Sequence, residues 1–179
     1  MPNILHREFW AGRPNEKWLT DVSEFKWYEG PIVHKVYLSA ILDLCDRRIV
    51  SYILSDRNDN KLVSETFDKA VQENPDAHPL FHSDRGYQYT SRTFHKKLLD
   101  AGMTQSMSRV GHCIDNGPME GFWGILKREC YYGHTFANRE TLISTIERYI
   151  DYYNNRRYQH RLFIQTPMQA HVSAMNRAA

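Results

Sequence analysis

An α/β fold in a single domain is what this 179-residue sequence predicts, and three patterns predict it. Three strand-like segments rich in β-branched and aromatic residues open the chain, with only short connections between them. A segment with apolar residues at helical spacing follows. After it, a short apolar run passes through a polar turn into another helical segment. Connections of a few residues favour antiparallel neighbours, whereas strand, turn and helix in that order make a βα unit. Hydrophobic residues make up 41% and charged residues 25%, which is enough to bury a core and too apolar for a disordered chain.

Residues 1–17 are polar and irregular and read as an arm outside the core. From Trp18 to Tyr28, β-branched and aromatic residues alternate roughly with polar ones, which predicts the first strand, and Glu29-Gly30-Pro31 turns the chain. A second strand is expected from about Lys35 to Leu44, and Cys45-Asp46-Arg47-Arg48 leads into a third from Ile49 to Leu54. Asn58 to Asn60 offer capping side chains for a helix whose apolar positions Leu62, Val63, Thr66, Phe67, Ala70 and Val71 would cover a sheet, and Asn74-Pro75 stops it. Pro79 to His82 is a short apolar strand, followed by the turn Ser83-Asp84-Arg85-Gly86 and a helix near Ser91 to Ala101 that Gly102 closes. Thr104 to Met107 supplies a fifth strand, and Ser108 to Gly117 reads as a mobile loop. Pro118 suits the first position of a helix that continues to about Cys130. A further helix, Thr141 to Asn154, places Ile143, Ile146, Tyr149, Ile150 and Tyr153 on one face.

Charge is spread unevenly. The formal net charge is +2, but residues 121–179 hold eight Lys and Arg against four acids, so a polyanion prefers the C-terminal third. No apolar run approaches the roughly 20 residues that cross a bilayer, and the first ten residues already carry Arg7 and Glu8, unlike a signal peptide. Cys45, Cys113 and Cys130 are odd in number and form no CxxC, which argues for reduced thiols in a cytosolic compartment.

Three acids fall where chemistry is usually built. Asp21 sits within a strand, where its charge is costly unless something compensates it. Asp84 follows directly on the fourth strand, and Gly86 lets backbone approach a ligand. Glu120 opens a helix just ahead of Phe122, Trp123, Ile125 and Leu126, whose apolar side chains fix where the carboxylate points. Singly, each also has a plain structural use: an ion pair with an Arg, a turn brace, or a first-turn acid favoured by the helix dipole.

The motifs around these acids decide between the uses. The chain resembles the retroviral-integrase-like DDE transposases, in particular the bacterial insertion-sequence family whose transposase is made by joining two reading frames. Trp18-Leu-Thr-Asp21-Val-Ser is similar to the first-Asp strand, and His82-Ser-Asp84-Arg-Gly-Tyr-Gln-Tyr-Thr90-Ser to the second-Asp block. Ser106-Met-Ser-Arg109-Val-Gly111-His-Cys-Ile-Asp115-Asn116, Glu120 and Leu126-Lys127-Arg-Glu129 resemble the third, with 35 residues between Asp84 and Glu120. Tyr152-Tyr-Asn-Asn155-Arg and Thr166-Pro167 resemble the family's C-terminal stretch. The resemblance implies a ribonuclease H-like fold over residues 18–179, with a C-terminal helical extension: a five-stranded mixed sheet, the first three strands antiparallel, with helices on both faces.

It implies that Asp21, Asp84 and Glu120 converge as catalytic and metal-binding residues for Mg²⁺ or Mn²⁺, with two ions, Asp21 bridging them and the other two acids each holding one. The implied activity is metal-dependent nicking and strand transfer on DNA. The partners are element ends and target DNA, with room for a homo-oligomer and with an upstream helix-turn-helix module expected to be missing from residues 1–17. A catalytically silent DNA-binding or assembly module derived from a transposase is the alternative. Lys127 stands about two helical turns beyond Glu120, where it would meet a phosphate, and Arg109 and Asn116 are further candidates for DNA contact. Arg85 stands where the family commonly has Gln. His112, Cys113, Cys130 and His134 are zinc ligands by type, but adjacent ligands at 112 and 113 are awkward, so no zinc site is expected.

Overall fold

The computed structural model describes residues 1–111 and 113–178, without the side chains at 113, 114 and 178. The zinc donors considered at His112 and Cys113 therefore lie outside the described side chains. β1 (Lys17–Glu29) and β2 (Ile32–Asp43) pair antiparallel from Trp18↔Asp43 to Glu29↔Ile32. Only Gly30 and Pro31 connect them, and Gly30 takes φ +58, a left-handed conformation that costs glycine little. β3 (Ile49–Ser55) pairs antiparallel with β2. On the other side of β1, β4 (Leu80–Ser83) and β5 (Thr104–Met107) add in parallel, giving the order β3-β2-β1-β4-β5.

Alternation along β1 feeds two cores. Trp18 points to the face covered by α1 (Asn60–Glu73) and α3 (Arg92–Asp100), where Ile41, Phe67, Phe81 and Phe94 are buried with it. Leu19 and Phe25 point to the opposite face, covered by α4 (Gly117–Leu126) and α5 (Arg139–Asn155), with Phe122, Leu126, Ile146 and Tyr153. Of the capping side chains at 58–60, Asp59 is the one used for α1, accepting the Leu62 N–H at 3.0 Å. A short helix, α2 (Tyr87–Thr90), lies between β4 and α3.

Four expectations are corrected. β2 begins at Ile32, earlier than the sequence suggested, because Ile32 and Val33 pair while remaining exposed and so break the in-out alternation. The N-terminal residues join the core: Leu5 is 1% exposed, and the Ile4 and Leu5 N–H groups donate to Ser106 Oγ at 2.9 and 3.1 Å. The expected loop from Ser108 to Gly117 contains a 3₁₀ turn, Cys113–Asn116, and is tied down through buried Asp115. That carboxylate accepts from Asn3, Arg7 and Arg109, at 2.6 Å from Arg7 and 2.9 to 3.0 Å from the others. Finally, the helix after Pro118 does not run as one α-helix to Cys130. α4 ends at Leu126, and Lys127–Tyr131 form a π-helical turn. Beyond α5, a 3₁₀ turn (His160–Leu162) and α6 (Pro167–Ala178) complete the extension.

Candidate active site

β4 and β1 pair in parallel with Leu19 opposite His82. Asp21 stands two residues beyond Leu19 within β1, and Asp84 two residues beyond His82 just past the end of β4, so both acids lie beyond the same end of the paired segment. The backbone holds Asp84 in a tight turn, where the Gly86 N–H donates to its Oδ1 at 2.8 Å. Behind it, His82 is fully buried between Ser106 Oγ at 2.9 Å and Ser108 Oγ at 3.3 Å, and burial lowers its pKa to about 4, so it is neutral at pH 7.

Glu120 reaches this corner on the first turn of α4, with its residue exposed. Two contacts pin α4 to β1. Asn116, the residue before the helix, donates from Nδ2 to the Thr20 carbonyl at 3.1 Å. Trp123, one turn beyond Glu120 and on the same side of the helix, donates from Nε1 to Asp21 Oδ2 at 3.0 Å. Phe122 and Leu126 anchor that helix in the core.

Asp21 shows what the corner does electrostatically. Its carboxyl pKa is pushed up to about 6, first by burial and further by the charges of Asp84 and Glu120, against the pull of the Trp123 and Val22 hydrogen bonds. All three acids therefore share one electrostatic neighbourhood, with no cation paired to them among the described residues. The convergence is loose: among the described residues, no three His, Cys, Asp or Glu side chains are gathered closely enough to hold a metal ion. As a donor set, three carboxylates match the hard oxygen ligands that Mg²⁺ and Mn²⁺ prefer.

The candidates for DNA contact separate. Lys127 is half-buried with Nζ 5.0 Å from the Phe25 ring centre; burial lowers its pKa, while Glu24 and Asp21 raise it, so its ammonium lies within the field of the acid corner. Arg109 forks onto Asp115 while its side chain stays half-exposed, and Asn116 is 4% exposed, its Nδ2 donating to β1 and its Oδ1 buried without a partner among the described residues, so both brace the segment before α4. Arg85 likewise acts as a tie, donating to the Ser108 carbonyl at 2.8 Å and the Met1 carbonyl at 3.2 Å.

Sequence reasoning assigned Trp123 to the core and missed its indole N–H on Asp21. The signal available was its i+3 spacing from Glu120, and it becomes readable only once the register brings β1 beneath α4.

Residues 11–113 match the family described as Integrase core domain, and residues 120–172 match a second family of the same description. A putative transposase for insertion sequence element IS150, InsK of Escherichia coli, is 44% identical over 169 residues, covering 94% of this chain and 58% of InsK. An uncharacterized transposase-like protein of Haemophilus influenzae is 42% identical over 174 residues, covering 97% of this chain and 79% of its own length. Among solved structures, the HTLV-2 integrase catalytic core domain in complex with magnesium aligns with TM-score 0.66 at 17% identity, over 89% of this chain and 97% of that one. A chain of the simian T-cell lymphotropic virus intasome aligns with TM-score 0.76 at 18% identity, over 90% of this chain and 56% of that one. Their likeness identifies the fold as ribonuclease H-like.

Proposed function

We propose a catalytic role in DNA transposition for this chain, which belongs to the integrase core domain family. Its reaction is hydrolysis of a phosphodiester to free a 3′ hydroxyl, followed by attack of that hydroxyl on a second phosphodiester. The charges of Asp84 and Glu120 converging on Asp21 carry the reading, because such a site is expensive for an empty protein and is relieved by a divalent cation.

In this reading Asp21, Asp84 and Glu120 would together hold two divalent ions, Mg²⁺ or Mn²⁺. Such ions would supply Lewis-acid activation of the attacking oxygen and stabilisation of the departing one. The protein's own contribution is placement. The parallel pairing of β1 with β4 brings Asp21 and Asp84 to the same end of the paired strands, and Trp123 holds Asp21 Oδ2. The first turn of α4 delivers Glu120 on an exposed position that can move inward. Lys127, desolvated and close to Asp21, is placed to meet a backbone phosphate next to the reacting one, and the basic C-terminal third gives duplex DNA a sequence-independent hold. The relatives described as transposases support DNA as the substrate.

Nicking of supercoiled plasmid in Mg²⁺ or Mn²⁺ tests the assignment. Asp21→Asn, Asp84→Asn and Glu120→Gln are each expected to abolish nicking while the far-ultraviolet circular dichroism stays unchanged. Retained activity in two of the three variants places the chemistry elsewhere. A wild-type chain that binds DNA, takes up no Mn²⁺ and never nicks is the silent module instead.

A further inference from the structure

Between α5 and α6 the chain makes a compact loop that presents its apolar residues outward. Leu162 is buried and roots it, but the next two side chains, Phe163 and Ile164, are 93% and 68% exposed. Both adopt left-handed backbone, with φ +55 and +60, a region that β-branched and aromatic residues avoid. A cross-braced backbone holds them there. Gln159 and Gln165 form an antiparallel bridge, with Gln159 N–H donating to the Gln165 carbonyl at 3.0 Å and Ile164 N–H to the Gln159 carbonyl at 3.1 Å. The Phe163 N–H donates to the His160 carbonyl at 3.0 Å. Two strained residues exposed at the tip of a braced turn bring no benefit to the isolated fold, and such strain commonly marks a contact made with something else.

Beside the tip, Arg161 is exposed. Arg156 and Arg157 are paired to Asp151 and Glu129, while among the described residues neither His160 nor Arg161 has an acidic partner. Of the arginines whose charge reaches Tyr153 at the root of the loop, Arg47 is buried and Arg157 is paired, which leaves Arg161 to meet a ligand. An exposed apolar tip beside an arginine with no acidic partner among the described residues suits few occupants. Two side chains bury a few hundred Å² at most, against the roughly 800 Å² per partner of a stable protein interface. A nucleic-acid duplex meets both features, because a phosphate answers Arg161 and a partly unstacked base step accepts an apolar wedge.

We propose that Phe163 and Ile164 form a wedge that inserts between base pairs of bound duplex DNA, with Arg161 gripping the adjoining phosphate. The contact kinks the duplex at an easily unstacked step and is physically separate from the acid corner. It extends the transposase reading without requiring the acids to be catalytic.

The test uses the full chain and a duplex of about 30 base pairs carrying 2-aminopurine at a central TA step, whose fluorescence rises when the base unstacks. Wild type is expected to raise the signal several-fold at saturation. The double variant Phe163→Gly/Ile164→Gly, whose glycines accept the left-handed backbone, is expected to fold with an unchanged or higher melting temperature yet lose that rise. Arg161→Ala should reduce the slope of log affinity against log salt by about one. Asp21→Asn should keep the full fluorescence rise, so loss of nicking in that variant bears on the catalytic reading alone. The wedge is overturned if wild type fails to bind the duplex, binds it without a rise, or if the glycine variant still gives one. It is equally overturned if the variant instead loses a concentration-dependent dimer in sedimentation, or binding to anionic phosphatidylserine vesicles, while its DNA signal persists.

Discussion

Replacing Asp21 with Asn separates stability from activity in a way the acid corner makes calculable. The Asp21 carboxyl titrates at about 6 in the folded chain against 3.8 for an unperturbed side chain. Between those two values the unfolded chain has released its proton and the folded chain has not. Above about pH 6 both are ionised, and the folded state carries the whole cost of the difference, about 3 kcal/mol at 1.36 kcal/mol per pH unit. An amide cannot ionise, and its Oδ1 can still accept from the Trp123 indole. In EDTA, Asp21→Asn should therefore match wild type near pH 4, gain stability as pH rises toward 6, and hold a plateau of about 3 kcal/mol above pH 7. With a urea m-value of about 2 kcal/mol/M, the plateau is a midpoint shift of about 1.5 M. Adding Mn²⁺ should narrow the gap, because only the carboxylate form gains stability from the ion. Urea melts of both proteins at pH 4 and 8, with and without Mn²⁺, read all of this. A variant equal to or weaker than wild type at pH 8 without metal would refute the crowding of acids around Asp21.

Three other perturbations follow from the same geometry. Trp123→Phe keeps an aromatic ring and removes the donor to Asp21, so calorimetry should show Mn²⁺ affinity falling about 10- to 100-fold with the fold intact. Asp115→Asn removes the buried anion to which Arg7 and Arg109 donate, and should cost about 2–4 kcal/mol of stability while exposing the N-terminal segment to trypsin at Arg7. In fluorescence anisotropy over a salt series, Lys127→Ala should flatten the salt dependence of DNA binding by about one unit and weaken all duplexes alike; superimposable slopes would leave Lys127 as a packing residue on Phe25.

What the sequence made legible follows periodicity and local motif. The alternation in β1 and the turn residues at Gly30 located the first hairpin, and β5 falls at Thr104–Met107 as expected. Asp84 and Glu120 were legible because each follows an element boundary that proline, glycine or a polar turn announces. Features decided by spatial pairing were hidden. Leu5 is one apolar residue in a polar stretch, and nothing local shows that Ser106, a hundred residues later, receives its backbone. Asp115 looks like a loop acid until Arg7 and Arg109 close around it. Arg109 and Asn116 read as loop residues until Asp115 and the Thr20 carbonyl engage them, Asn116 buried and Arg109 still half-exposed. The left-handed backbone of Phe163 and Ile164 contradicts their local preference and could not have been inferred from it.

Anomalous diffraction from crystals soaked in Mn²⁺ tests the acid corner most directly. Manganese peaks within ligand distance of carboxylate oxygens from Asp21, Asp84 and Glu120, with Glu120 drawn inward and Trp123 still bonded to Asp21, are the expected result. Well-ordered crystals in which manganese binds elsewhere, or binds one of these acids with the other two turned away, would contradict a shared metal site.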